Sequence, residues 1–253
     1  MSGHSKWATI KRSKGVADTK RGALFTKLGH EIAIAAREGG SDPDSNFRLR
    51  LVLDKARQAN MPKDNVERAI ARGAGELKGS EALQEAIFEG YGPGGSAIML
   101  QTLSDNRNRT VSEVRRAFER HGGNLGSDGS VAWMFSRRGQ ITVDVEGLDP
   151  DDVAMVAIDA GAEDVDVEDN TLQIYTDPKD LKPVQEALVK GKFQVIESQL
   201  AWIPQNLMPL DEKDTVQTLK LVDALDELDD VTEVYNNIEI TDEALAKYQS
   251  EAA

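Results

Sequence analysis

Apolar positions along this chain fall into blocks of distinct period. Over about 18–37, Leu24, Phe25, Leu28, Ile32 and Ala36 recur at three- and four-residue spacing, the pattern of a helix with one buried face. Asp18 or Thr19 can cap that helix, and Gly39-Gly40 ends it. Asp42-Pro43 opens a second helix, whose apolar stripe is Leu49, Val52, Leu53 and Ala56. Asn60-Met61-Pro62 interrupts it, and a third short helix is predicted over about 62–72. Three such helices make a small bundle, followed by the glycine-rich stretch 73–80.

Beyond residue 82 the period shortens. Leu83, Ala86, Phe88 and Tyr91, then Gly92-Pro93-Gly94-Gly95, then Ala97-Ile98-Met99-Leu100 read as a β-hairpin. A helix carrying Val111, Val114, Ala117 and Phe118 follows, stopped by His121-Gly122-Gly123, and Val131–Phe135 reads as a third strand. Over 139–200 the order is strand (Ile141, Val143, Val145), helix, strand (Val165, Val167), strand (Leu172, Ile174, Tyr175), helix, strand, which is the βαββαβ order of a ferredoxin-like unit. A broad apolar face over 214–228, a strand over 231–236 and a polar tail complete the chain. The strands of 82–135 lack a second helix and a closing strand, and the last elements supply both. The predicted fold is therefore α+β and multidomain: an N-terminal three-helix bundle plus two α/β domains, one ferredoxin-like and inserted into the other. The boundaries expected are 1–79 for the bundle with its basic tail, 80–136 and 205–240 for a discontinuous middle domain, and 137–204 for the insertion.

Charge divides the same way. The net charge is −14, yet the segment 1–28 holds Lys6, Lys11, Arg12, Lys14, Lys20, Arg21 and Lys27 against the single acid Asp18. Through Gly73 the balance is 15 basic to 8 acidic residues, whereas the remaining 180 residues carry 15 basic and 36 acidic. A cationic front on an anionic body suggests a nucleic-acid or anionic-surface contact confined to that front. Trp7 adds a ring on which a base could stack; alternatively Trp7 and Ile10 only tack the tail to the first helix. A second concentration of donors is Asp105-Asn106-Arg107-Asn108-Arg109-Thr110, ahead of a helix N-terminus. Arg107 and Arg109, with Asn106 and Asn108, suit a phosphate or protein contact; in the other reading Asn108 or Thr110 caps the helix and Arg107 and Arg109 pair with the acidic body.

Catalytic chemistry finds no support. Gly90, Gly92 and Gly95 match Gly-x-Gly-x-x-Gly, but β-type residues follow and Pro93 sits inside, so a hairpin turn is the expectation rather than a dinucleotide site. His4, His30 and His121 are scattered, with no metal-ligand spacing. The absence of cysteine excludes disulfides, thiolate zinc sites and cysteine nucleophiles. No stretch approaches the length of a membrane helix, and no secretory signal follows the basic start. The expectation is no enzyme, cofactor, metal or small-molecule substrate.

Gly3-His4-Ser5-Lys6-Trp7-Ala8-Thr9-Ile10-Lys11, the run from Lys20 to Leu28, Ala59-Asn60-Met61-Pro62-Lys63-Asp64-Asn65, the Gly92-Pro93-Gly94-Gly95 turn, the loop 102–110, Gly122-Gly123-Asn124-Leu125-Gly126 and Trp202-Ile203-Pro204 together resemble YebC-type proteins over nearly the whole chain. The resemblance implies three domains around a central cleft. It also implies a DNA-binding regulator of transcription or, alternatively, a ribosome-associated translational activator that binds ribosomal RNA and relieves stalling on proline-rich stretches. Because the motif starts at residue 3, it leaves no room for a mitochondrial transit peptide, and a bacterial-type cytoplasmic protein is expected. The contact residues carried over are the basic N-terminal motif and the Asn-Arg-Asn-Arg loop. Gly15 departs from the polar or basic residue common there.

Overall fold

Residues 18–76, 83–168 and 170–251 are described by a computed structural model. Helix α1 (Asp18–Gly39) ends where Gly40 takes φ +88° and donates its N–H to the Ala36 carbonyl at 2.9 Å. Helix α2 (Phe47–Gln58) begins later than Asp42-Pro43 suggested, because Asn46 is its cap. The Asn46 carboxamide accepts from Leu49 N at 3.0 Å, and its amide donates to the carbonyls of Ala35 at 2.7 Å and Gly40 at 2.8 Å. One buried side chain thus joins the end of α1 to the start of α2. Helix α3 (Lys63–Gly73) returns across α1 so closely that a Cβ at Gly73 would lie 2.1 Å from the Ala33 carbonyl oxygen. Leu28, Ile32, Leu49, Val52, Ala56 and Ala69 form the bundle core.

The middle sheet has order β3 (Asn124–Leu125), β1 (Gln84–Tyr91), β2 (Ala97–Ser104), β8 (Val231–Asn236). Strands β1 (Gln84–Tyr91) and β2 (Ala97–Ser104) are antiparallel around a 3₁₀ turn, Pro93–Gly95. This turn absorbs the Gly-x-Gly-x-x-Gly match, and a strand rather than a helix follows it. Strand β8 (Val231–Asn236) pairs antiparallel with β2, Ile98 opposite Asn236. One face of the sheet packs Phe88, Ile98 and Leu100 against α4 (Arg107–Arg120), α7 (Glu212–Asp226) and Tyr248 of α8 (Asp242–Glu251). The other buries Ala97, Met99 and Tyr235 with Val131 and Phe135.

Two details differ from the sequence reading. The third strand of this sheet is Asn124–Leu125 (β3), while Ala132–Met134 forms a 3₁₀ turn. Val131 and Phe135, four residues apart, are both buried, whereas Trp133 between them is 68% exposed; the segment is not alternating. The polar tail contains α8, held by Ile240, Ala244 and Tyr248 at four-residue spacing, all buried.

The inserted unit comprises β4 (Phe135–Asp144), α5 (Pro150–Asp159), β5 (Asp164–Glu168), β6 (Thr171–Thr176), α6 (Leu181–Lys190) and β7 (Gln194–Pro204). Its sheet order, β5-β6-β4-β7 with every pairing antiparallel, is that of the ferredoxin-like fold. Ile141, Val143, Leu172 and Ile174 face Val153, Ala157, Val184 and Leu188 of the two helices. Helix α2 serves two neighbours: Leu49, Val52 and Ala56 fill the bundle, whereas Leu51 enters the core of the inserted unit. The described helices include none long and apolar enough to cross a membrane.

Candidate nucleic-acid interface

Lys6, Trp7, Lys11, Arg12 and Lys14 lie outside the described residues. Lys20 and Arg21 belong to the first turn of α1, with side chains also outside the description. Lys27 is corrected. Its side chain is buried, its Nζ donates to the Asp226 main-chain carbonyl, and it stands 3.8 Å from the Asp226 carboxylate. It fastens α1 to α7 and presents no charge for a polyanion.

The donor-rich loop is built largely for itself. Asn106 caps α4, its carboxamide oxygen accepting from Arg109 N at 3.1 Å. Asp230, buried at the start of β8, accepts from Ser104 Oγ at 3.0 Å, Thr110 Oγ1 at 2.7 Å and Arg109 Nη2 at 2.8 Å. Arg109 also reaches Asp105 at 3.1 Å, and these acids hold its guanidinium even more firmly protonated than usual. Although 46% of its side chain is exposed, Arg109 therefore has its fork occupied. Asn106 and Arg109 act here as parts of the loop's frame, a correction to their reading as the presented contact. Asn108 is exposed, and its carbonyl accepts from Ser112 at 2.8 Å. Arg107 is exposed and forms no ion pair among the described residues.

A feature the sequence reading missed lies between α1 and α3. Phe25, His30, Met61, Asn65, Arg68 and Arg72 line an open groove with a cavity volume of about 550 Å³. Phe25 joins none of the hydrophobic clusters among the described residues, although it falls on an amphipathic helix. Arg68 and Arg72, one turn apart, are exposed and have no acid partner among the described residues. His30 is held below its usual pKa by burial and by Arg72, with Asp230, Asp105 and Asp229 opposing. Its ring therefore lies in the fields of both the groove arginine and the loop acids, which puts the groove and the Asn-Arg-Asn-Arg loop in one neighbourhood. The available signal was the Arg68/Arg72 spacing on a helix led by Pro62.

A third cation is half-buried among carboxylates. Lys55 of α2 donates to Gln199 Oε1 at 2.7 Å and to Glu233 Oε1 at 3.1 Å, and lies 3.7 Å from Glu197. Burial works against its charge, but Glu233, Glu31 and Glu197 outweigh that and raise its pKa. Glu31 of α1 is pushed up to about 7, first by burial and also by Glu233, against the pull of Lys55. Helix α2, β7 and β8 thus meet at one ammonium.

No group of His, Asp and Glu among the described residues could hold a metal ion. Fold and site define a three-part α+β protein with a cationic helical end and an acidic remainder. The family model for the TACO1/YebC N-terminal domain matches residues 5–76, and that for the TACO1/YebC second and third domain matches 83–238. The chain belongs to the TACO1/YebC family. It is 50% identical to a probable transcriptional regulatory protein of Dehalococcoides mccartyi, covering 100% of both chains. It is 51% identical to another of that description from Chloroflexus aurantiacus, over 99% of this chain and 100% of that one. The crystal structure of a conserved hypothetical protein from Aquifex aeolicus matches with a TM-score of 0.82 at 45% identity, covering 89% of this chain and 93% of that one.

Proposed function

We propose that this chain is a non-enzymatic, cytoplasmic regulator of transcription that binds DNA through its basic N-terminal module, residues 1–79. The observation carrying this reading is the charge division: 15 basic and 8 acidic residues through Gly73, against a net −14 for the whole chain. The names of its relatives support regulation of transcription. The acidic parts, 80–136 with 205–240 and the insertion 137–204, would repel phosphate and keep the nucleic acid at the cationic end. Lys6, Lys11, Arg12, Lys14, Lys20 and Arg21 supply the phosphate contacts, with Trp7 as a stacking surface and Arg107 as the exposed cation of the second loop. Base readout in the helix-turn-helix manner is not part of the proposal.

Titration of labelled duplex DNA at several salt concentrations tests it. With about five phosphates neutralised, log K falls against log salt with a slope of about −4 to −5. Replacing the six tail cations with glutamine should remove most of that slope. A salt-insensitive complex, or unchanged binding by the glutamine variant, would refute the proposal.

A further inference from the structure

We propose that the groove between α1 and α3 holds one unpaired nucleotide of a single-stranded nucleic acid, with its base against Phe25 and Met61 and its flanking phosphates on Arg68 and Arg72. The inference rests on the nucleic-acid reading above and adds a site, a strand state and the residues that select it.

Several exposed cations of this protein are paired with acids. Arg48 pairs with Glu38 and Glu85, Arg57 with Asp54, Lys63 with Glu67 and Arg138 with Glu163. In a chain with 44 acids and 30 bases, carboxylates are plentiful. Arg68 and Arg72 nevertheless have none among the described residues. Side chains four apart on a helix are neighbours, so the two guanidinium forks stand side by side, as successive phosphates of one strand require.

The floor supplies the second element. Phe25 is an aromatic ring left out of every core cluster among the described residues, and it lines the groove together with Met61. Asn65, on the α3 wall, has both a donor and an acceptor for a base edge. The groove, at about 550 Å³, is of the size that encloses a small molecule rather than a duplex. A duplex offers phosphates to such arginines but keeps its base faces in the stack, out of reach of Phe25. A flipped or single-stranded base satisfies both walls at once.

Fluorescence anisotropy with the full chain tests this, using labelled 12-mers of deoxythymidine and of uridine and a 12-base-pair duplex. Arg68→Gln with Arg72→Gln should weaken single-strand binding about 10-fold or more and reduce the salt slope by about 1.4, the share of two phosphates on a single strand. Phe25→Leu keeps the groove apolar but removes the ring; it should weaken single-strand binding about 5-fold or more with the slope unchanged. Lys190→Gln with Lys192→Gln, the same charge change on the inserted unit, should change neither measurement. A single-strand affinity unaffected by the arginine pair, or lowered as much by the lysine pair, overturns the groove while leaving the tail contact intact. A wild-type chain that binds none of the three probes overturns both readings. The deoxythymidine and uridine arms decide whether the preferred strand is DNA or RNA.

Discussion

Lys55 and the arginines of α3 occupy the same small bundle and have opposite fates. Lys55 is enclosed by Glu197, Glu233, Gln199 and Glu31, drawn from three separate elements. Arg68 and Arg72 stand in the open without an acid among the described residues. Desolvating a charge is costly unless partners surround it, and Lys55 has three carboxylates that only the folded state brings together. An exposed arginine is fully solvated and needs no partner for stability. Its lack of one leaves the charge facing solvent and says nothing against the fold. A bundle that is net cationic in sequence thus contains two kinds of cation, one fastening the domains and the other facing outward.

The largest effect expected from this contrast is at Lys55. Lys55→Met leaves Glu31, Glu197 and Glu233 crowded without their cation and should cost about 3 kcal/mol, read by urea denaturation. Loss of under about 0.5 kcal/mol would show that the junction is ornamental. Next is the pH response of Glu31. Its folded pKa of about 7 lies above the ordinary 4.5, so the stability it contributes is fully present below about 4.5 and is lost as pH rises through about 7. Glu31→Gln, permanently neutral, should therefore be more stable than the parent at pH 8 by about 2 kcal/mol, with the gap closing toward pH 4.5. Thermal melts at a series of pH values check this, and a constant gap would refute it. The smallest effect is on the open side: Arg68→Gln with Arg72→Gln should change stability by less than about 0.5 kcal/mol. A marked loss would mean that these arginines hold the fold after all.

Much of the architecture was legible because the chain's local patterns agree with its tertiary ones. The alternation of Ile141, Val143 and Val145 and the order of elements across 139–200 sufficed for the ferredoxin-like unit, and the Pro93-Gly94-Gly95 turn for the hairpin. Val131–Phe135 misled because apolarity without alternation was read as a strand; the four-residue spacing of its two buried members belonged to a turn. Helix α8 was passed over because Ile240, Ala244 and Tyr248 are sparse among acids. The candidate site was legible only in charge. Lys27 lies 199 positions from the Asp226 carbonyl it meets, and Arg109 lies 121 from Asp230. No local pattern announces such partners, so cations that are consumed by the fold and cations that remain available look identical along the chain. The groove required knowing that α3 crosses α1.

The insertion also dictates an order of assembly. Ala97 at the start of β2 donates its N–H to the side chain of Asn237 across 140 positions, whereas every strand of the ferredoxin-like unit finds its neighbours within the unit itself. At ribosomal speeds of about 5–20 residues per second, β2 waits roughly 7–30 s for β8 to be made. During that interval it is a bare edge, open to pairing with another nascent chain. The inserted unit is complete and able to close before then, so the newest residues of the polypeptide arrive as the missing slat of a sheet begun long before.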